Sequence, residues 1–502
     1  MVNGVALNTS GAASAACDGT GQLLSLSFNG SGVATPSLIY SDVGKLTLNL
    51  SLAGSDQASG LNMTGTGSVV VAPAAFTLTG SPTTVVGAGS PFAVTVSAVN
   101  AEGNVTPNFG RETSPEGVRL SWTRASPTGA GASAGTFTGT GVGATAALTS
   151  FVNGVATVSD LAWTEVGSGD ITSTLASGSY LASGLSASGT TGSTGAALRS
   201  VPHHFDVGVT QGCGSITYSE QPFRVTITAR NAGNGITLNY NGTAATTPAL
   251  SKQVTLSATT NASLGSFAPG SATVPAGNFL AGVATVTSPV FAFTSKLTAP
   301  AAVGIRAVDA DGVSSLGAVE GTVQLRSGRL RITNAFGTEK RALTAPVQAQ
   351  YWTSKAWVLN SLDNCTRVPL AAVSLGGYLD AKGASTSDWH TAVVPDANGK
   401  AISMVNGNGT LTLEAPTAHT ARVPAGSVDV SINLGSAASD ASCLPAPRPD
   451  TTGAAQGWLR AKFGSSNGCA GVAEFNRDPS MRATFGVYAP ELKRLIYSAE
   501  VQ

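Results

Sequence analysis

The side chains whose type and spacing could support catalysis or metal binding are few. Of the four histidines in the 502 residues, only His203 and His204 are adjacent. Adjacent residues on a strand point to opposite faces, and no third ligand follows nearby, so we interpret the pair as structural.

The segment GASAG, from Gly131, matches the GxSxG pattern of serine hydrolases. It lies in a Gly- and Ala-rich run with no helix pattern after it, and we attribute the match to chance.

Two acidic loops have the composition of a calcium site. The segments DADG, from Asp309, and DANG, from Asp396, place oxygen ligands at alternate positions, as calcium loops do. Asp-Gly and Asn-Gly are also the commonest hairpin-turn signals, and we favour the turn interpretation. Asp309 and Asp311 are retained as calcium candidates, and the sequence predicts no other cofactor.

The sequence favours a chain that binds or spaces over one that catalyses. An enzyme needs a nucleophile, a base and an oxyanion donor in one pocket, and the scattered histidines and carboxylates predict no such arrangement. A binding domain instead needs exposed aromatic side chains on rigid loops. The candidate binding residues are Trp352, Trp357, Trp389 and Trp458. The competing expectation is that most of them fill the interior of a sandwich.

The five cysteines fit neither a CxxC pair nor a zinc-ligand cluster. An odd number leaves at least one of them free or paired outside the chain. We predict a disulfide between Cys443 and Cys469, which flank Pro- and Gly-rich turns, with Cys365 as the rival partner for either. In the chain-entropy model, closing a loop of this size contributes about 3 kcal/mol. An exported protein can oxidise such a pair.

Composition excludes several classes of protein. Lys+Arg and Asp+Glu both number 27, so the formal net charge is zero and there is no basic excess for nucleic acid. Hydrophobic residues make up 42% of the chain, which argues against disorder. No apolar run approaches the roughly 18 to 20 residues of a transmembrane helix. The start, MVNGVALNTSGAAS, lacks the features of a signal peptide, so we expect this signal to lie upstream of a fragment.

Two long segments repeat one another in order and spacing. The segment from Phe76, FTLTGSPTTVVGAGSPFAVTVSAVNAEGNVTPNFG, resembles the segment from Phe205, FDVGVTQGCGSITYSEQPFRVTITARNAGNGITLNYNG. Further along, FVNGVATVSDLAW likewise resembles FLAGVATVTSPVF. A third copy shows only its end, because LIYSDVGKLTLNLSL, from Leu38, resembles LAWTEVGSGDITSTL, from Leu161. The sequence therefore predicts tandem units, the first of them partial.

Within each unit, apolar and small polar residues alternate with a period of two, as in FAVTVSAV and FRVTITAR. This period predicts half-buried strands, and the Asn-Gly, Asp-Gly and Pro punctuation predicts the turns between them. The fold class is therefore predicted to be all-β, with tandem immunoglobulin-like antiparallel β-sandwich domains and a C-terminal β-rich domain. The expected boundaries are 1–73, 74–197, 198–326 and 327–502. The segment SGLSASGTTGSTGAA, from Ser183, is the predicted linker.

The last third of the chain carries a resemblance to a known family. Its ordered motifs are LRITNAFGTEKRALTAPVQAQYW, DNCT, GSVDVSINL, GWLRAKF and DPSMRATFGVY, preceded by VPHHF and QPFRVTITARNAGNGITLNYNG. From residue 201 to residue 502 the chain resembles the C-terminal region of MSHA biogenesis protein MshQ-like proteins. The resemblance implies a secreted or surface-attached protein of Gram-negative bacteria associated with type IV pili. It brings no catalytic residues.

We therefore expect the repeats to act as spacers for a C-terminal interaction domain at the cell surface or outside the cell. Pilus components, or a host or abiotic surface, are the expected partners. Two alternatives remain: a lectin-like, carbohydrate-binding adhesin unrelated to pili, and an accessory region of a secreted hydrolase.

Overall fold

Alternating apolar residues form the strands of this protein. The computed structural model describes residues 5–6, 26–35, 38–54, 59–80, 85–191, 198–419, 424–445, 448–463 and 471–487. These residues form β-strands, turns and short 3-10 helices, with no α-helix among them. The strand Phe92–Val99 shows the cause, because from Phe92 to Ala98 every second side chain is buried and those between are more accessible. The predicted all-β architecture is confirmed.

The first described strands form two small sheets. They are β1 (Val5–Ala6), β2 (Leu38–Ile39), β3 (Gly44–Ala53) and β4 (Asn62–Val71). β1 pairs with β2 in parallel, and β3 pairs with β4 over ten residues as an antiparallel ribbon. Leu50 and Leu52, on one face of this ribbon, are exposed.

The second domain packs two sheets face to face. Its strands are β5 (Ala75–Thr79), β6 (Val86–Gly87), β7 (Phe92–Val99), β8 (Val118–Ser126), β9 (Phe137–Thr138), β10 (Val155–Trp163), β11 (Gly167–Leu175), β12 (Ser188–Thr190) and β13 (Leu198–Val201). One sheet has the order β5-β7-β10-β9; the other has the order β12-β11-β13-β6, with β8 also on β11. Phe76, Phe109, Phe151 and Tyr180 are buried in the core between them.

The third domain repeats this plan. Its strands are β14 (His204–Thr210), β15 (Thr217–Tyr218), β16 (Arg224–Arg230), β17 (Val254–Ala258), β18 (Gly265–Phe267), β19 (Thr273–Val274), β20 (Val283–Val286), β21 (Phe291–Phe293), β22 (Ala301–Asp309) and β23 (Thr322–Arg326). The sheets are β14-β16-β20, β15-β23-β22-β17-β19 and the pair β18-β21. Phe205, Tyr240 and Phe279 form its aromatic centre.

Within the described ranges, the fourth domain contains the most strands. They are β24 (Gly328–Ile332), β25 (Ala335–Gly337), β26 (Leu343–Trp352), β27 (Trp357–Leu359), β28 (Arg367–Val368), β29 (Val373–Asp380), β30 (Trp389–His390), β31 (Val393–Val394), β32 (Ile402–Ser403), β33 (Asn408–Leu413), β34 (Thr417–Ala418), β35 (Gly426–Ile432) and β36 (Ser480–Phe485). The main sheets are β24-β26-β33-β31, with β27 on β26, and β25-β36-β35-β29. Buried Leu330, Val347, Val430 and Phe485 lie between them.

The repeat seen in the sequence is also a repeat of backbone geometry. Gly154 and Gly282, which occupy equivalent positions, both have a positive φ, of 77° and 82°. At each of them a Cβ atom would collide with a backbone carbonyl oxygen, that of Thr106 in one unit and of Thr237 in the other. Glycine is therefore required at both positions for the same two reasons, conformation and space.

The hydrogen bonding differs from the sequence-based expectation at the start of the third unit and in the predicted linker. β13, expected to open the third unit, pairs with β11 and β6 in the second domain, and the third domain's own strands begin at His204. The predicted linker is in part a strand, since β12 pairs with β11; its residues 192–197 lie outside the described residues. Small polar residues on an edge strand resemble a linker in composition, which explains the difference.

One hairpin loop recurs along the chain. In each copy, an Asn or Asp side chain accepts hydrogen bonds from the backbone N–H groups two and four residues later. The residue three positions after the Asn or Asp has a positive φ. The first residues of these loops are Asn29, Asn100, Asn231, Asp309, Asp380 and Asp396. A short acceptor and a left-handed residue close the turn in every case, which accounts for the DADG and DANG segments.

The recurring loop gives a test in the third domain. Gly312 has a φ of 80° and open space around its missing Cβ, so Gly312→Ala should destabilise the loop by backbone strain alone, by about 1 kcal/mol. Amide exchange at Asp311 and Val313 should accelerate about fivefold. Gly277→Ala is the matched control, because Gly277 also has open space and lacks a positive φ. Equal exchange in the two variants would contradict the strain argument.

Candidate functional site

A disulfide joins the third and fourth domains. Cys213 lies between β14 and β15, and Cys365 lies just before β28; their Cα atoms are 5.5 Å apart across a sequence separation of 152. The sequence predicts Cys365 only as a rival partner for Cys443 or Cys469, and its bond to Cys213 excludes both of these pairings. Sequence spacing gives no signal for a bridge between residues so far apart.

A buried carboxylate lies beside this disulfide. Asp363 is fully buried, and the hydroxyl of Tyr218, from the third domain, donates to its Oδ2 over 2.7 Å. Thr366 adds its backbone N–H at 2.9 Å and its hydroxyl at 2.7 Å, and Cys365 adds its N–H at 3.1 Å. Burial, and then the charge of Asp363, raise the pKa of Tyr218, so its hydroxyl remains a donor.

The same network continues across the domain boundary. Asn360 donates through Nδ2 to the Tyr218 hydroxyl over 2.6 Å, and Arg326 donates to Oδ1 of Asn360 over 2.7 Å. β15 pairs in parallel with β23, the strand that leads directly into the fourth domain. Cys213, Ile216 and Tyr218 are part of the fourth domain's hydrophobic core. The two domains thus share one core.

A second buried carboxylate joins the second and third domains. The exposed fraction of Glu165 is 4%, and its carboxylate accepts the backbone N–H groups of Leu238 and Asn239, both over 3.0 Å. Asn239 in turn bonds the backbone of Ser133, accepting its N–H over 2.8 Å and donating to its carbonyl over 2.9 Å. Burial raises the pKa of Glu165.

The GASAG segment belongs to this second junction. Ser133, the serine of that pattern, engages Asn239 through its backbone, as described above. The flanking glycines contact the third domain directly: a Cβ on either Gly129 or Gly131 would lie 2.9 Å from the Ala245 carbonyl oxygen. The glycine-rich run permits close approach of the backbones of the two domains. The sequence pattern of the run does not predict this role.

The calcium candidates have other partners. Asp309 Oδ1 accepts the N–H groups of Asp311 and Val313, each over 2.9 Å, and Oδ2 accepts the Tyr240 hydroxyl over 2.7 Å. Burial raises the pKa of Asp309. Asp311 pairs with Arg199 of β13 over 2.8 Å, a further contact between the second and third domains. This geometry is that of a hairpin loop and an ion pair.

The structure separates the four candidate tryptophans. Trp389 is buried beneath the surface, and its indole N–H donates to the Leu379 carbonyl over 3.3 Å. Trp458 packs against the shared core, and its carbonyl accepts the ammonium of Lys296 from the third domain. Trp352 and Trp357 form a half-buried pair across β26 and β27, with ring centroids 5.6 Å apart. As direct cross-strand partners, these two lie on the same face of one sheet.

The four histidines form two pairs. The ring Nδ1 atoms of His203 and His204 lie 2.9 Å apart, although adjacent strand residues were expected to point to opposite faces. The expectation was wrong because β14 begins at His204, so His203 lies outside the strand. His390 Nδ1 and His419 Nε2 also lie 2.9 Å apart. In the described part of the chain, neither pair belongs to a group of three metal-ligating side chains.

The remaining candidates can be placed only in part. Cys443 is disulfide-bonded, whereas Cys469 lies outside the described residues, so the bond between them stays a prediction. The only group of three potential metal ligands in the described residues is Cys213, Asp363 and Cys365, and both of its sulfurs are in the disulfide. No helix in the described ranges is long and apolar enough to span a membrane.

Comparison with protein families gives one consistent result. Four successive domains of a single family match the chain in order. They are described as the first Ig-like domain of DUF6701, a domain of unknown function, at residues 2–66, and its second, third and fourth domains at 60–158, 165–328 and 326–501. The chain belongs to the DUF6701 family. The disulfide and Asp363 therefore connect the third and fourth DUF6701 domains.

Solved structures similar to this DUF6701 protein are distant. An I-band fragment of titin is 10% identical, covering 83% of this chain and 99% of that one, with a TM-score of 0.23. The Yersinia pseudotuberculosis adhesin InvE is 13% identical, covering 56% of this chain and 58% of that one, with a TM-score of 0.19. Scores this low support no inference about function. No curated protein matches the sequence.

Removing the Tyr218 hydroxyl should loosen both DUF6701 domains that it joins. In Tyr218→Phe, Asp363 loses a donor and stays buried, which costs about 1–3 kcal/mol. Hydrogen exchange should accelerate around residues 213–218 and around residues 360–366. Tyr240→Phe removes a similar bond, from Tyr240 to Asp309, inside the third domain, and should leave residues 360–366 unchanged. An unchanged rate at 360–366 in Tyr218→Phe would refute the coupling.

Glu165 should make the second junction sensitive to pH. Because its folded-state pKa is raised, the folded chain holds this proton more tightly than the unfolded chain. This contribution to stability is full below the ordinary value of 4.5 and is lost as the pH rises through the raised pKa. The urea midpoint of the wild type, relative to Glu165→Gln, should therefore fall as the pH rises above 4.5. Glu102→Gln, which removes an exposed carboxylate, is the control; a pH-independent difference for Glu165→Gln would contradict the assignment.

Proposed function

We propose that this DUF6701 protein is an exported structural protein of the bacterial surface, in which the first three domains space and hold a fourth domain that contacts a partner. The observation that carries the proposal is the construction of the junctions. The described domain boundaries contain two buried carboxylates, an ion pair and a disulfide, all of which restrict movement between neighbours. A spacer of this kind presents its last domain in a fixed orientation.

The disulfide supports an oxidising location. The cytosol keeps thiols reduced, so disulfide bonds persist mainly in compartments outside it. Cys213 is buried at the domain boundary, so this bond forms when the two domains have come together. The junction is therefore completed only after export, when the two domains have come together in an oxidising compartment.

Attachment to type IV pili is the finer part of the proposal. The motifs from residue 201 onward that resemble the MshQ-like family support it, and pilus components are then the partners. A host or abiotic surface is the second partner class. The half-buried tryptophan pair of the fourth domain supports the alternative of a lectin-like adhesin unrelated to pili.

We also propose that the chain does not catalyse. The histidines support this, because His203 lies against His204 and His390 against His419, each pair joined by a contact between ring nitrogens. Ser133, the serine of the GxSxG match, lies in the seam between two domains.

The test must keep the chain intact. If the residues from Ser327 onward were deleted, Ile216 and Tyr218 would lose the core that buries them. Such a truncation would unfold part of the third domain and report on stability alone.

Surface display of the full chain tests the proposal. Cells expressing it with a terminal tag should expose the tag to added antibody, and beads coated with the purified chain should adhere to pili or to a surface. Trp352→Ala with Trp357→Ala should reduce adhesion, whereas Trp122→Ala, in the second domain, should not. A cytoplasmic chain with reduced Cys213 and Cys365, or turnover of glycan or peptide substrates by the purified chain, would overturn it.

A further inference from the structure

One face of the fourth domain has an unusual set of side chains. β24 pairs with β26 so that Arg329 lies opposite Gln350 and Arg331 lies opposite Gln348. Their neighbours Leu330 and Ile332 point the other way, into the core. We call the solvent side of this sheet the outer face; it is lined by Arg329, Arg331, Gln348, Trp352, Trp357 and Asn408.

Arg329 is held in place on this face. Its guanidinium lies over the Trp357 ring, 4.6 Å from the centroid, and its Nε donates to Gln350 Oε1 over 2.8 Å. Gln350 is itself buried and fixed by a bond to Gln348 over 2.9 Å. The two terminal nitrogens of Arg329 make no hydrogen bond within the described residues and remain accessible to solvent. A planar fork of donors is therefore preorganised on the sheet.

Among the described residues, no acidic side chain forms an ion pair with either arginine of this face. Arg331 lies two residues along the same strand, is exposed, and has no ion pair among the described residues, nor does Arg329. Burial, and then the charge of Arg331, lower the pKa of Arg329 to about 10, with no carboxylate acting in the opposite direction. Two guanidinium groups thus lie together although the chain as a whole has a formal net charge of zero.

The rest of the outer face suits a sugar. Gln348 and Asn408 are directly paired across β26 and β33, and amides both donate to and accept from hydroxyl groups. Trp352 offers a half-buried aromatic surface for the apolar side of a pyranose ring. Thr410, further along β33, adds an exposed hydroxyl.

We propose that the outer face binds an acidic polysaccharide, with Arg329 and Arg331 taking the carboxylates of uronic acid residues. An arginine fork matches a carboxylate in a bidentate manner, and a second arginine on the same strand accommodates a second acidic unit. Amides and tryptophan bind the sugar ring between them. The inference deepens the proposed function, because it names the ligand class of the domain that the others present.

Titration calorimetry of the full chain with a galacturonic acid hexamer tests this inference. The wild type should bind it, more weakly at high salt, and should not bind a neutral hexose oligomer of the same length. Arg331→Gln should lower the affinity about tenfold, because a charge-assisted hydrogen bond contributes at least that factor. Arg331 has no described contact to lose, so the variant should remain folded.

Arg224→Gln is the matched control, since it removes one exposed arginine from the third domain; the affinity should not change. Absence of binding, equal affinity in Arg331→Gln, or equal affinity for the neutral oligomer overturns the inference. Arginine-dependent binding of single-stranded DNA in place of the uronate overturns it as well. If beads coated with the chain adhere while the hexamer fails to bind, the glycan inference falls and the surface role stands. If the hexamer binds but the chain is cytoplasmic, the proposed surface role falls and the glycan inference stands.

Discussion

The arrangement of the last two domains depends on the buried contact between Asp363 and Tyr218. A carboxylate in a protein interior is costly unless donors surround it, and Asp363 receives one of its donors from the neighbouring domain. The other three donors come from Cys365 and Thr366 of its own domain. The disulfide beside it, the parallel pairing of β15 with β23 and the shared core all place the same two segments together. The third and fourth domains therefore form one cooperative unit.

Glu165 has a similar role at the junction between the second and third domains. Its carboxylate accepts backbone N–H groups from the next domain, and the glycines beside Ser133 let the two backbones approach. At both junctions a buried acid in one domain is satisfied by its neighbour. Such contacts fix relative orientation as well as proximity, because hydrogen bonds are directional. An apolar contact alone would allow sliding.

Much of this fold could be predicted from the sequence. The two-residue period in FAVTVSAV predicts the alternating burial from Phe92 to Ala98, and the Asn-Ala and Asp-Ala loops close hairpins with their own side chains. The Cys213–Cys365 bridge could not be predicted, because proximity across 152 residues depends on tertiary packing. For the same reason, nothing in their sequence context separates buried Trp389 from Trp352. The outer face could not be predicted either, because it depends on the pairing of β24 with β26.

The covalent link across the domain boundary changes how the chain would respond to mechanical load. Tension applied at the two ends would pass from Cys213 to Cys365 through sulfur, bypassing the segment between them. That segment of 152 residues would extend by about 500 Å if it unravelled, at some 3.3 Å per residue. The bridge removes this length from the extensible part of the molecule. Under flow or shear, the domain that carries the outer face would stay tethered at a nearly constant distance from its neighbour.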